Sequence, residues 1–344
     1  MSPYALSMFM SSLSTGTVIT LTSNHWFLAW IGLELNTLAI IPLMSKMNHP
    51  RATEAATKYF LIQSTGSALL LFSTSVNAWY TGEWTIINMQ TTIPILMLVT
   101  ALMIKLAVAP FHLWFPDVIQ GLDLMTSLIL STWQKLAPMS LLIQMNQEVN
   151  STLLILLGML SVLIGGWGGL NQPQLRKVMA YSSTAHLGWM MIVLPYSQKL
   201  LLLNLVIYLF ITMSMFLMLM NISSTDINKM ASSWMKNLML TSMMMVTLMS
   251  LGGLPPTSGF MPKWLILEEM VKQDMNFIAT IVAISTLLSL FFYLRLSYMA
   301  SLTTPPSPQN HKFMQQSNMK MNKMSPMIIL STMLLPISPS IMTL

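Results

Sequence analysis

Four ionisable side chains lie within long apolar stretches of this sequence: Glu34, Lys105, Lys135 and Lys263. A charge near the centre of a membrane-spanning helix costs roughly 2.5–3.5 kcal/mol, so such residues are uncommon unless they have a function. Burial favours the neutral form of both lysine and carboxylate, which allows either group to exchange a proton near neutral pH. A series of these groups, bridged by water, is suited to moving protons across a membrane.

A structural role fits the same residues. Glu34 can be the structural partner of a lysine, Lys105 can be a purely structural counter-ion, and Lys135 can also have a structural role. Lys263 lies nearer the end of its apolar stretch, from which a lysine can extend its ammonium group to the membrane surface. His186 has a side chain that titrates near neutral pH, which suits a proton relay as well as helix packing. His112 follows a helix break, where it suits either a contact with water or a capping role.

The composition places these residues in a membrane protein. Of 344 residues, 54% are hydrophobic and only 8% are charged, whereas about 25% are charged in soluble domains. The sequence has no cysteine, which excludes cysteine-ligated zinc, iron–sulfur clusters and disulfides. Its five histidines are scattered, so no metal site is predicted. The net charge of +6 indicates cationic loops at one membrane face rather than a nucleic-acid partner.

The fold class predicted from the apolar stretches is an all-α, polytopic membrane protein. About 20 apolar residues cross the hydrocarbon core, and the sequence contains about eleven such stretches. The predicted spans are 3–21, 25–45, 57–80, 93–109, 123–145, 151–170, 176–195, 199–221, 237–271, 276–300 and 325–343.

Two of these spans contain helix breakers. Pro110 ends the fourth span, and the stretch Gly252-Gly-Leu-Pro-Pro256 interrupts the ninth. Proline removes backbone hydrogen bonds, and exposed backbone at that depth is tolerated only where protein or water satisfies it. Irregular backbone contacting polar groups is therefore predicted at both breaks. Because each break lies near a lysine, Lys105 or Lys263, the pattern is typical of transporters built from inverted repeats.

The loops predict an orientation. Alternating loops collect ten lysines and arginines on one face and two on the other, and the richer face is the inner one by the positive-inside rule. The ten are Lys46, Arg51, Lys58, Arg176, Lys177, Lys229, Lys236, Lys312, Lys320 and Lys323, and the two are Lys199 and Lys272. The N-terminus is then on the inner side and the C-terminus on the outer side.

Several motifs identify a family. They are Trp30-Ile-Gly-Leu-Glu-Leu-Asn36, Pro110-Phe-His-Leu-Trp-Phe-Pro116, Gln174–Ser183 with Ala185-His-Leu-Gly188, and Gly253–Trp264. Together they resemble the antiporter-like membrane subunits of mitochondrial respiratory complex I, the NADH–ubiquinone oxidoreductase. The resemblance covers essentially the whole chain. The first span resembles the fourth helix of the bacterial members, as in the shorter animal form of the family.

The resemblance implies two inverted five-helix repeats, about 25–145 and about 151–300, followed by a matrix-side loop at 301–324 and a last transmembrane helix at 325–343. It also implies roles for the buried charges. Glu34 resembles the glutamate of the first repeat, and Lys105 the lysine that pairs with it. Lys135 resembles the connecting lysine of a central hydrophilic axis, and Lys263 the lysine of the second repeat.

The function implied is proton translocation from the matrix to the intermembrane space, driven by electron transfer in other subunits. NADH, FMN, iron–sulfur clusters and ubiquinone are then bound elsewhere in the complex, and no cofactor is bound by this chain. The neighbours implied are chains 3, 4L, 6 and 4, the lateral helix of chain 5, and phospholipids such as cardiolipin. From the buried charges alone, a stand-alone secondary cation/proton antiporter and a scaffold that uses its charges to bind neighbouring subunits fit equally.

Overall fold

The computed structural model describes residues 2–47, 49–89, 91–231, 238–302, 325–333 and 336. Over these residues the chain is built from helices, and β-type pairing is limited to isolated bridges such as the one between His25 and Thr85. The all-α fold is therefore confirmed. Within the same residues, five helices are long and apolar enough to cross a membrane, as expected of a polytopic membrane protein.

The chain divides into two compact units, Met1–Leu157 and Gly158–Leu344. The division falls close to the predicted boundary between the repeats 25–145 and 151–300, and the inverted relation of these repeats remains a prediction. The first unit contains α1 (Pro3–Thr22), α2 (Trp26–Met44), α3 (Pro50–Thr81), α4 (Thr92–Leu106), α5 (Trp114–Gly121), α6 (Leu124–Ser131), α7 (Leu136–Gln144) and the beginning of α8 (Ser151–Gly169).

The second unit contains the remainder of α8, then α9 (Leu175–Val193), α10 (Gln198–Ile222), α11 (Ile227–Ala231), α12 (Leu238–Gly252), α13 (Phe260–Lys272), α14 (Asn276–Leu302) and α15 (Ser325–Met333). Every residue of α9 from Ser182 to Val193 is buried, which makes α9 the interior helix of this unit. Residues 303–324, which are most of the predicted matrix-side loop, lie outside the described residues, as do residues 334–335 and 337–343 of the last predicted span.

Both predicted breaks are present. α4 ends at Leu106 and is followed by Ala107, which has a left-handed φ of 61°; α5 begins at Trp114. α12 ends at Gly252 and is followed by Gly253, which has a φ of +78°; α13 begins at Phe260. The Ala109–Pro110 and Pro255–Pro256 peptide bonds are cis. The prediction of irregular backbone at these two points is confirmed.

A third irregularity lies within 123–145, where the sequence predicts one continuous helix. A 3₁₀ turn at Trp133–Lys135 separates α6 from α7. Pro138 is in the first turn of α7, and it has no N–H with which to bond the carbonyl of Gln134, four residues earlier. The continuous helix was wrong for this reason, and the turn places Lys135 at the junction of two short helices.

In each unit a pair of glycines brings two helices into close contact. A Cβ added to Gly16 of α1 would lie 2.9 Å from the carbonyl oxygen of Gly32 in α2. In the second unit, a Cβ on Gly158 of α8 would likewise lie 2.9 Å from the carbonyl oxygen of Gly188 in α9. Only glycine allows this approach, which is typical of helix pairs in membranes. The crossing fixes the part of α2 that carries Glu34, two residues after Gly32.

Candidate functional site

The first unit brings two of the predicted lysines to one cavity. Lys105, in the last turn of α4, is 7% exposed, and Lys135, in the 3₁₀ turn, is 5% exposed. The cavity they line has a volume of about 20 Å³. About 10–15 Å³ is enough to hold one water molecule where polar groups can bind it. The cavity is lined by Leu33, Asn36, Thr37, Tyr59, Gln63, Lys105, Leu106, Trp114, Phe115, Leu130, Gln134, Lys135, Ala137 and Pro138.

Besides Lys105 of α4, the polar lining of the cavity comes from α2, α3 and the 3₁₀ turn. Tyr59 and Gln63 are one turn apart on the buried face of α3, as the i, i+4 spacing requires. Asn36 extends from α2, and Gln134 from the 3₁₀ turn, where its amide nitrogen donates to the carbonyl oxygen of Asn36 at 3.3 Å. These side chains supply donors and acceptors, so the cavity is suited to an ordered water between the two lysines.

Glu34 provides the negative charge of this site. Its carboxylate acts electrostatically on the Lys105 ammonium and on the Tyr59 hydroxyl. Within the described residues, however, no carboxylate oxygen lies within the 4.0 Å of an ion pair from Lys105, and neither Lys105 Nζ nor Glu34 Oε2 has a hydrogen-bond partner there. The interaction is therefore Coulombic at longer range rather than a direct salt bridge.

The Lys105 side chain is held by the helix opposite. A Cβ added to Gly66 of α3 would lie 3.4 Å from Cγ of Lys105, so the lysine stem packs directly on α3. The indole nitrogen of Trp114, after the break, donates to the carbonyl oxygen of Ile104 at 3.2 Å. The same carbonyl also accepts from the Ala107 N–H at 3.3 Å, and the indole bond ties α5 to the turn that carries Lys105.

Lys135 is positioned by an aromatic ring. Its ammonium nitrogen lies 4.9 Å from the centroid of Phe115 in α5. At this distance a cation is attracted to the electron-rich face of the ring. The contact partly replaces the hydration that Lys135 loses on burial, and it directs the lysine toward the cavity.

Lys263 has a different environment in the second unit. Its ammonium nitrogen donates to the carbonyl oxygen of Gly252 at 2.8 Å and to that of Leu251 at 3.4 Å. These carbonyls close the last turn of α12, where a cation is favoured by the helix dipole. A Cβ on Gly253 would lie 2.8 Å from Cδ of Lys263, so glycine at this position admits the lysine stem. The ammonium group therefore folds back onto the break, instead of extending to the membrane surface.

The two histidines occupy separate places. His112 lies in the first break and is 5% exposed; it hydrogen-bonds to the backbone of Pro110 and does not line the cavity. His186, in α9, is 7% exposed, and its ring centroid lies 5.5 Å from that of Tyr208 in α10. His112 is thus part of the break itself, whereas His186 belongs to the interior of the second unit.

Sequence reasoning identified the charges but missed the neutral polar groups of the cavity. Tyr59, Gln63 and Gln134 are among its lining. The signal available was the spacing of Tyr59, Gln63 and Gly66 on one face of an apolar span. That spacing indicates a polar stripe but does not indicate which helix the stripe faces.

Family models and full-length relatives of known name match this chain. The family model described as "NADH:quinone oxidoreductase/Mrp antiporter, TM" matches residues 23–289, and the model described as "NADH dehydrogenase subunit 2 C-terminus" matches residues 290–342. The chain is 52% identical over 345 residues to the NADH-ubiquinone oxidoreductase chain 2 of Xenopus laevis, covering 100% of both chains. It is 53% identical over 346 residues to that of Tetraodon nigroviridis, covering 100% of this chain and 99% of the relative.

Solved structures show the same fold at lower identity. A chain of respiratory complex I from Thermus thermophilus, solved with bound aureothin, matches with a TM-score of 0.84 and 24% identity, covering 98% of this chain and 80% of that chain. A chain of the Mrp complex of a Dietzia species matches with a TM-score of 0.79 and 16% identity, covering 86% of this chain and 60% of that chain.

Proposed function

The chain belongs to the NADH–ubiquinone oxidoreductase chain 2 family, and from this premise we propose that it carries protons across the membrane as a subunit of that enzyme. Electron transfer from NADH to ubiquinone occurs in other subunits and drives the movement from matrix to intermembrane space. The chain itself supplies the charged side chains through which the protons pass.

The observation that carries the proposal is the cavity of the first unit. It is lined by two lysines that are each less than a tenth exposed, in a protein whose outer surface faces lipid. Retaining two buried ammonium groups beside a water-sized space is costly for stability. The arrangement is explained by proton exchange, because a neutral lysine and a charged one differ by one proton, which one water molecule in a space of this size can transfer.

Each charged residue has a role in this proposal. Lys105 takes and releases a proton under the influence of Glu34, whose charge stabilises the ammonium form. Lys135 receives the proton across the cavity and passes it on. Lys263 performs the corresponding exchange in the second unit, where helix carbonyls take the place of the carboxylate. His186 is a relay within the second unit, and His112 a relay at the first break.

The membrane, neighbours and orientation belong to the same proposal. We place the chain in the mitochondrial inner membrane, with its N-terminus in the matrix and its C-terminus in the intermembrane space, as the ten-to-two distribution of cationic loop residues predicts. NADH, FMN, iron–sulfur clusters and ubiquinone are bound by other subunits. Its neighbours are chains 3, 4L, 6 and 4, the lateral helix of chain 5, and phospholipids such as cardiolipin.

A stand-alone cation/proton antiporter is the second candidate, favoured by the fold shared with a chain of the Mrp complex. The identity of about half the residues to named chain 2 relatives over the full length favours the respiratory enzyme. Purification in mild detergent separates the two. Recovery in a large NADH-oxidising assembly supports the respiratory subunit, whereas a chain recovered without other subunits would support the antiporter.

The direct test of the proton path is Lys105→Ala in the assembled enzyme. NADH oxidation by a hydrophilic acceptor should be unchanged, because that chemistry lies in other subunits. Turnover with ubiquinone and proton pumping into proteoliposomes should fall by a factor of about a hundred or more. Lys272→Ala is the matched control, since Lys272 is exposed and pairs with Glu268 at 2.9 Å. Normal pumping in fully assembled Lys105→Ala would overturn the proposed site.

A further inference from the structure

A second cavity lies in the second unit, where two helix connections meet α14. Its volume is about 450 Å³, which is within the range of small-ligand sites, about 300–1,000 Å³. The charged residues of its lining are Arg295, Lys229 and Asp226, and the amides of Gln174 and Asn228 are among its neutral polar groups. Two cations and one carboxylate give this cavity an excess of positive charge.

The two connections that form one wall of the cavity are bonded to each other. The Leu175 N–H donates to the carbonyl oxygen of Thr225 at 3.0 Å, and the Ile227 N–H donates to that of Pro173 at 3.3 Å. These bonds hold the α8–α9 and α10–α11 connections side by side. Both connections belong to the face that the loop charges predict to be the inner one, so the cavity lies at the end of the helices rather than at mid-membrane.

The carboxylate of the cavity is already compensated. The Lys229 ammonium nitrogen lies 3.8 Å from Oδ2 of Asp226. The Thr225 hydroxyl joins the two side chains, since it donates to Asp226 Oδ2 at 3.3 Å and accepts from Lys229 Nζ at 3.3 Å. The excess positive charge is therefore that of Arg295.

Arg295 reaches the cavity from within α14. It lies about two turns before the end of this helix at Leu302, and its Nη1 donates to the carbonyl oxygen of Leu170, just beyond α8, at 2.8 Å. A guanidinium group has five N–H donors in a planar fork, and this bond uses one of them. Such a fork binds two oxygens of one phosphate group.

An apolar stripe of α14 begins at Arg295 and continues toward the middle of the helix. Phe291, Leu287 and Ile284 are each between 58% and 66% exposed, and their spacing of three or four residues places them on the same face as Arg295. From Ile284 to Arg295 the stripe is about 16 Å long at 1.5 Å per residue. One leaflet of the hydrocarbon core is about 15 Å thick, so the guanidinium lies one leaflet away from mid-membrane.

We propose that this cavity binds the phosphate group of an anionic phospholipid, with Arg295 and Lys229 as its cationic contacts and the α14 stripe along an acyl chain. Basic pockets between helices at the matrix side of a membrane suit such head groups. An acidic protein segment would match the charge of the cavity but not the apolar stripe below it. This inference rests on the membrane position given in the proposed function, and it assigns a site to one lipid neighbour.

The test labels the assembled enzyme with a lipid. Phosphatidylglycerol carrying a diazirine in one acyl chain is mixed into phosphatidylcholine proteoliposomes, and mass spectrometry after irradiation measures the label on α14. Phosphatidylcholine with the same diazirine should label α14 about fivefold less, and Arg295→Gln should reduce labelling by phosphatidylglycerol about fivefold, as expected for one cation at the membrane surface. Lys199→Gln is the matched control, because it removes a cation at the opposite end of α10.

Two further variants give the test a sign. Asp226→Asn should increase labelling by phosphatidylglycerol, because it removes the carboxylate from the cavity. Lys229→Gln should decrease labelling, because it leaves Asp226 without its ion pair, and this variant replaces Arg295→Gln if that one does not assemble.

The outcomes are separate from those of the proposed function. Equal labelling by the two lipids, or labelling by phosphatidylglycerol that neither Arg295→Gln nor Lys229→Gln changes, would overturn the inference. Absence of label from either lipid would also overturn it, since a neighbouring subunit would then cover the cavity. None of these results bears on the proton path, which is tested by pumping in Lys105→Ala.

Discussion

The two broken helices supply their lysines from opposite sides of the break. Ala107 and Gly253 are the left-handed residues that follow α4 and α12, so they mark equivalent points in the two units. Lys105 lies two residues before the first point, and the residue two before the second is Leu251. Lys263 lies after the second point, yet its ammonium group returns to the carbonyl of Leu251.

The partners of the two lysines differ accordingly. The Lys105 ammonium interacts electrostatically with the carboxylate of Glu34, which lies two residues after Gly32, the α2 glycine of the α1–α2 crossing. The residue two after the glycine of the α8–α9 crossing is Met190, which carries no charge. In the second unit the carbonyl ends of α12 supply the negative potential instead. The comparison teaches that a buried ammonium can be stabilised by a titratable group or by a fixed dipole, and only the first can itself take up a proton.

The largest effect should come from arginine at either lysine. Arginine remains charged in proteins, so Lys105→Arg and Lys263→Arg cannot release a proton. Turnover with ubiquinone should fall by a factor of about a hundred or more in both. If Lys263 serves only to cap α12, Lys263→Arg will keep its turnover, because a guanidinium can also donate to the Leu251 and Gly252 carbonyls. Pumping assays on the two variants would then separate a proton carrier in the first unit from a cap in the second.

The next effect concerns the carboxylate. Glu34→Gln removes the charge that acts on Lys105, and pumping should fall by about tenfold or more. Combined with Lys105→Ala, the loss should be smaller than the product of the two single losses, because the two residues are coupled. Met190→Gln, the same side-chain amide at the equivalent point of the second unit, should not be coupled to Lys105→Ala. If the loss of pumping in the double variant Glu34→Gln with Lys105→Ala equals the product of the two single losses, the two residues are not coupled.

A smaller effect is expected at the break residues themselves. Gly253→Ala should destabilise the protein by about 1–2 kcal/mol for a left-handed alanine, and the added Cβ would also displace Lys263. Ala107→Gly should stabilise the first break by up to about 1 kcal/mol, because glycine adopts this conformation freely. Thermal dissociation of the assembled enzyme measures both changes. Equal shifts in the same direction would contradict the assignment of these two residues as equivalent.

The smallest effect should follow Phe115→Leu. It removes the ring beneath Lys135, a contact that contributes about 0.5–2 kcal/mol. Pumping should fall severalfold at most, while assembly stays normal. Phe277→Leu, at a phenylalanine that is 77% exposed, is the control. A loss as large as that of Lys105→Ala would mean that Phe115 does more than hold the ammonium group.

The sequence was sufficient to predict most of the helices and both breaks, because apolar length and proline position are local properties. It also identified Lys105 and Lys135 as buried charges and Glu34 as a partly buried one. It did not predict the turn at Trp133–Lys135. There the missing N–H of Pro138 divides a predicted span into two short helices. Nor did it predict that Lys263 bonds to helix carbonyls. That contact depends on the path of the backbone after Gly253, and the residue types alone do not specify this path.

If the proposed proton path runs through the cavity lined by Lys105 and Lys135, the small size of this cavity limits which ions can use it. At about 20 Å³, it admits one water but not the hydration shell of an alkali cation. Two ammonium groups on its wall also raise an electrostatic barrier to any metal cation, as cationic side chains do in other selective pores. A proton avoids both obstacles, because it moves by exchange of bonds and no ion has to occupy the space. We therefore expect this cavity to pass protons and to exclude sodium and potassium without a dedicated binding site.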